Sequence, residues 1–249
     1  MTRLVHAELL KLRTTRTARA LVALAAAGTA ALVAAVLLLA GRPGQPALGE
    51  DALRQLLLVP AQPLTLAALV LGILGMAGEL RHGTATPTFL VTPRRGRVVA
   101  AKLAAAGLTG LAMALASSAA VLAVGLPWLR ARGIEVALAD PGAAARAAGL
   151  AAAVALFAVL GTGLAALLGN QVAALIVGLL WWSQGVERLL AGLLQQPGLE
   201  RWLPMGAASA LTRPGDGTLP MWAGALVFAA YGLALALLGG RLVVRRDLT

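Results

Sequence analysis

Long stretches without a single charged residue dominate the chain. They cover residues 20–41, 55–78, 103–129, 147–186 and 217–240. A helix needs roughly 20 apolar residues to cross a bilayer core, because it rises about 1.5 Å per residue. Four of the runs fit one crossing each. The run 147–186 has 40 residues, about 60 Å as a helix and twice the core thickness, so it holds two. Gly169-Asn170-Gln171 supplies the break, a helix-stop signal of Gly and Asn. The pattern predicts an all-α polytopic membrane protein, one domain over 1–249. Its six spans fall at about 20–40, 60–80, 101–127, 147–168, 171–186 and 220–240.

Residues 1–19 show a different periodicity. At 100° per residue, Met1, Leu4, Val5, Leu9 and Leu12 share one side, while Arg3, Lys11 and Arg13 lie towards the other. This predicts an amphipathic helix lying in the headgroup layer, in contact with lipid. Leu10 falls on the basic side and makes the separation imperfect. The first apolar run, with 19 residues before it, reads as a span and not as a cleavable leader.

Composition supports the membrane class: 59% hydrophobic residues, 12% charged residues and a mean hydropathy of +0.84. The net charge of +11 favours anionic lipid or an acidic partner. Nucleic-acid binding is not expected, because no basic soluble domain remains once the spans are assigned. With no cysteine and only His6 and His82, disulfide and thiolate chemistry are excluded and a metal site has poor support.

Charge also sets direction. Six spans place both termini, the loop 79–102 and the break 169–171 on one side. That side carries thirteen Lys and Arg against three acids, Glu8, Glu79 and Asp247, while the other carries eight against seven. Basic residues collect on the cytoplasmic side, so both termini are expected to be cytoplasmic. Trp128, Trp181, Trp182, Trp202 and Trp222 then all fall near the outer ends of spans, where indoles favour the interface.

The span interiors narrow the chemistry. Their polar groups are hydroxyls, among them Thr29, Thr65, Thr109, Ser117, Ser118 and Thr162. Ser117 and Ser118 are expected to bond back to their own helix. Ion-coupled carriers need acids, His or Lys within the membrane, and intramembrane hydrolases need an acid pair, a metal or an activated nucleophile. Neither set is visible, so the chain is not expected to be an enzyme. Energy for uphill transport would come from elsewhere, since no GxxxxGK[ST] phosphate loop is present. Small residues recur at Gly72, Gly75 and Gly78, at Gly161, Ala165 and Gly169, and at Gly232, Ala236 and Gly240. They predict close helix packing.

One segment breaks the pattern. Residues 81–97 are basic and Thr-rich, far longer than a turn needs. Gly83-Thr84 can open a short helix with Thr84 as N-cap and Pro87 in the first turn, and Thr92-Pro93 can close it. Phe89 and Leu90 would be exposed beside Arg94, Arg95, Arg97 and Lys102. An apolar knob in a basic frame suits docking into a protein groove. The same residues also suit a loop dipping into lipid, and the residues alone leave both readings open.

Taken in order, Glu79-x-x-x-Gly83-Thr84, Phe89-Leu90, Pro93-x-Arg95 and Lys102 resemble the cytoplasmic loop of permease subunits of ABC-2 type transporters. Glu8-Leu9-x-Lys11-Leu12-Arg13 resembles that family's N-terminal segment, and Trp202-Leu203-Pro204-x-x-Ala207 its outer re-entrant region. The resemblance spans nearly the whole chain. It implies a bacterial plasma-membrane exporter subunit with a coupling helix around 83–92 between spans 2 and 3. That helix would dock on a separate ATPase subunit, with Glu79 closing the second span and Gly83, Thr84, Phe89, Leu90, Arg94 and Arg95 at the contact. It also implies a re-entrant segment between spans 5 and 6. Two ATPase copies, holding ATP and Mg, would join two permeases, identical or homologous; this chain itself would bind no cofactor. Pro87 departs from the family's proline-free helix. A secondary carrier or a membrane scaffold is the alternative.

Overall fold

The computed structural model describes residues 2–42, 48–49, 51–81, 95–134, 140–183, 185–196, 198–213, 215 and 217–245. The described residues are helical and contain no strand. In chain order the α-helices are α1 (Thr2–Thr14), α2 (Arg16–Leu39), α3 (Ala52–Leu58), α4 (Ala61–Arg81), α5 (Arg95–Ala131), α6 (Pro141–Leu168), α7 (Gln171–Trp182), α8 (Gly185–Leu194), α9 (Pro204–Thr212) and α10 (Met221–Arg245). A 3-10 turn at Glu200–Trp202 precedes α9.

Five stretches are long and apolar enough to cross a membrane: Arg16–Leu39, Ala52–Gly78, Gly96–Ala131, Pro141–Leu168 and Met221–Arg241. They match five of the expected spans, and Pro127 sits inside α5 without ending it. The sixth expected span, 171–186, is different. Its helix α7 has only 12 residues, about 18 Å at the α-helical rise. It stops at Ser183, whose hydroxyl bonds the Leu180 carbonyl, and a separate helix, α8, follows. The 40-residue charge-free run therefore divides unequally.

The division itself falls where local chemistry requires it. Gly169 ends α6 in the left-handed conformation, with φ of 66°, and its amide bonds the Ala165 carbonyl. The Asn170 side chain then accepts from the amides of Val172 and Ala173 and caps α7.

Helix α6 is the centre of the bundle: 67% of its apolar window is buried, against 17% for α2. It packs on α4, α10 and α5. Small residues allow the approach. A methyl group on Gly72 would strike the Ala158 carbonyl oxygen, and one on Gly161 the Leu69 carbonyl oxygen. The Phe157 and Phe228 rings meet edge-on, with centroids 4.8 Å apart. The outer faces of α2, α5 and α10 expose Leu24, Leu115 and Leu233, as suits helices whose solvent is lipid.

Of the interior hydroxyls, Thr65 and Thr109 bond to their own helices, at Ala61 and Ala105. Ser117 differs from expectation: it lies 2.8 Å from Thr29 Oγ1 and ties α5 to α2. Thr162 bonds its own helix at Ala158 and also the Gly72 carbonyl across the α4–α6 contact.

Candidate functional site

Two ends of the bundle carry the charged chemistry. At one end, α1 packs against α5 and α2. Its Glu8 faces inward and is buried, as is Lys102 in the first two turns of α5. Lys102 Nζ donates to Glu8 Oε2 at 2.8 Å, and Lys11 Nζ donates to Glu8 Oε1 at 2.9 Å. The 8-to-11 spacing puts Lys11 one turn along the same face of α1. Burial pushes the Glu8 carboxyl up, but the charge and hydrogen bond of Lys102, with those of Lys11, outweigh it and hold the group below its ordinary value. Beside the pair is a cavity of about 20 Å³, room for one water, bordered by Gly72, Gly75 and Thr162.

The pair joins two segments that the sequence presents 94 residues apart. Of the N-terminal residues expected to lie at a lipid interface, Leu4, Val5 and Leu9 are half-buried and Lys11 is exposed, while the side chains of Leu12 and Arg13 lie outside the described residues. Glu79 lies in the last turn of α4 and Arg95 begins α5; their side chains are outside the described residues too. Gly83, Thr84, Phe89, Leu90 and Arg94 all lie outside them, so the expected coupling segment is framed by α4 and α5 only at its two ends.

At the opposite end sit the tryptophans and a cluster of short helices. Glu187 of α8 is buried, with 3% of its surface exposed. Its Oε1 accepts from Trp181 Nε1 at 2.6 Å and from the Met205 amide at 2.8 Å, and its Oε2 accepts from the Gly206 amide at 3.2 Å. The two amides open α9 behind Pro204, where a helix has no internal acceptors to offer them. One carboxylate thus fastens the end of α7, α8 and the start of α9. Burial raises its pKa, and the three donors recover only part of the lost hydration.

Asp140 serves the same end differently. It caps α6 through the amides of Gly142 and Ala143, each at 3.0 Å, and accepts a two-pronged bond from Arg54 at 2.6 and 2.8 Å. The Arg54 hydrogen bond, with the Gly142 amide, holds its carboxyl well below the usual range.

Between α8, the 3-10 turn and α9 opens a cavity of about 360 Å³, lined by Glu187, Arg188, Glu200, Arg201, Ser209 and Arg213 among others. Glu187, Arg188, Glu200 and Arg201 all fall between the fifth and sixth expected spans. The clasp role of Glu187 and the grouping of these side chains around one cavity depend on the 187-to-205 contact, which no local signal marks. Among the described residues, no group of three His, Cys, Asp or Glu is placed to hold a metal ion.

No family model matches the chain, and no curated protein sequence matches it.

Proposed function

We propose that the chain is the membrane-embedded subunit of an ATP-driven exporter of the ABC-2 type. In this reading energy enters from a separate ATPase subunit through the loop between α4 and α5, on the cytoplasmic side. The observation that carries the reading is the buried Glu8–Lys102 pair. The loop starts where α4 ends at Arg81 and finishes where α5 begins at Arg95. Lys102 lies two turns into α5 and is bonded to α1. A push on the loop would therefore reach α4 and α5 directly, and α1 through its bond to α5.

Two further features support it. Among the described residues, the buried polar side chains of the apolar helices beyond Lys102 are the hydroxyls Thr29, Thr65, Ser117 and Thr162, which offer a coupling ion little to bind. The excess of basic residues at the α1 end follows the rule for cytoplasmic faces.

The test is co-expression with an ABC ATPase subunit followed by co-purification. Phe89→Asp or Leu90→Asp removes the expected apolar contact; each variant should insert in the membrane normally and lose the ATPase partner. Undiminished co-purification by both variants overturns the assignment of this loop as the docking element.

A further inference from the structure

The cavity of about 360 Å³ among the short helices falls within the size range of small-ligand sites. Its walls carry three guanidiniums, Arg188, Arg201 and Arg213, against two carboxylates, Glu187 and Glu200. Those two acids are not equivalent. Both oxygens of Glu187 are engaged by amides and an indole, so its charge is directed at the start of α9. Among the described residues neither the Arg201 nor the Arg213 side chain makes an ion pair or hydrogen bond. Two planar donor forks thus border one cavity, with Glu200 as the remaining acid to oppose them.

A second, narrower pocket of about 40 Å³ shares Met205, Ser209 and Arg213 with it and is lined also by Thr212, Gln62, Thr65 and Trp182. On the other flank, α8 exposes Leu189, Leu193 and Leu194, so an amphipathic molecule could rest its tail on an apolar face while its polar group enters the cavity.

We infer that this cavity is a binding site for the oxyanion of a phosphate ester, held by Arg201 and Arg213. Arginine matches the geometry of phosphate with paired donors. The phosphate would come either from a lipid headgroup of the surrounding leaflet or from a soluble phosphate ester, and the chemistry of capture is the same. The inference does not depend on an ATPase partner, and its test uses the chain alone.

The test is titration of the purified full chain, in dodecyl maltoside micelles that contain no phosphate, with hexyl phosphate. Tryptophan fluorescence is the readout, because Trp182 borders the narrower pocket and Trp202 lies in the turn carrying Glu200 and Arg201. Saturable binding is expected. Arg201→Ala/Arg213→Ala should weaken it about a hundredfold or more, since both charge-assisted donor forks are lost. Glu200→Gln should strengthen it, a gain that a purely structural role for these residues does not predict. If the double alanine variant fails to fold, Arg213→Lys with Glu200→Gln carries the test, the first weakening and the second tightening binding. Competition by added phosphatidylglycerol identifies a lipid headgroup as the source, and its absence a soluble ester. Either result keeps the site. No saturable binding, or binding unchanged in the arginine variants and in Glu200→Gln, overturns it.

Discussion

Glu8 and Glu187 are both buried carboxylates, at 8% and 3% exposure, yet their partners differ in kind. Glu8 meets two ammonium groups from α1 and α5. Glu187 meets two backbone amides and an indole, all neutral. Their electrostatic outcomes have opposite sign: Glu8 is held below the ordinary glutamate value and Glu187 above it. Burial opposes the charge in both cases. A full positive charge at 2.8 Å overcomes that penalty, whereas partial charges on N–H groups offset only some of it. The first arrangement links two helices, α1 and α5, far apart in sequence. The second locks three short elements in place.

The largest expected effect comes from breaking the charged end. Glu8→Ala removes the carboxylate that Lys102 bonds inside the bundle, and removing one partner of a buried pair costs about 3–5 kcal/mol. A lower unfolding midpoint in detergent should report it. The exchanged double variant Glu8→Lys/Lys102→Glu should recover most of the loss. Glu8→Leu/Lys102→Leu should recover stability as well, because apolar residues of similar volume replace buried ion pairs at little cost. If that apolar double variant is stable but loses the proposed ATPase partner on co-purification, the pair serves coupling and not stability. Equal stability of wild type and Glu8→Ala would show that the pair contributes nothing.

Breaking the neutral end should cost less. Glu187→Ala leaves the Met205 and Gly206 amides and the Trp181 indole without their acceptor, and water from the adjoining cavity can replace part of it. The loss should be about 2–3 kcal/mol. It should be local as well, with faster amide exchange confined to α8 and the start of α9. Protection lost equally in α6 would show that the clasp supports the whole bundle, contrary to the contrast drawn with Glu8.

The two ends were not equally legible in the sequence. The boundary at Gly169-Asn170 was, because a left-handed glycine and an Asx cap act within four residues. So were the five long apolar helices, which length and hydropathy alone predict. The short α7 was not: the charge-free run continues through Trp181 and Trp182 to 186, and what ends the helix is the turn at Ser183 and the contact of Glu187 with Met205. That contact closes over 18 residues, and the Glu8–Lys102 pair over 94. Charge counting marked Glu8 as one of three acids on a basic side, which was the available clue to a specific role. Ser117 shows the same limit, since whether a hydroxyl bonds its own helix or a neighbour depends on which helix arrives beside it.

The smallest effect, and the most direct probe of the contrast, is its pH dependence. A carboxyl whose pKa is depressed on folding adds stability above its unfolded value, about 4.3 for glutamate, and loses it as the pH falls through the folded value. Glu8 should follow that course, weakening the fold in acid. A carboxyl whose pKa is raised on folding behaves oppositely: between the unfolded and folded values the native state binds the extra proton, so stability falls as pH rises. Glu187 should therefore cost stability at neutral pH and cost less as the solution is acidified towards pH of about 4 to 5. The measurement is the unfolding midpoint of wild type minus that of Glu8→Gln, and of wild type minus that of Glu187→Gln, across the acid range. The first difference should shrink on acidification and the second should grow. Each change is smaller than the loss from alanine, because glutamine fills the same space and keeps one of the two acceptor oxygens. Two difference curves of the same slope would mean that neutral donors hold a buried carboxylate as well as ammonium groups do, and the distinction between the two ends would fail.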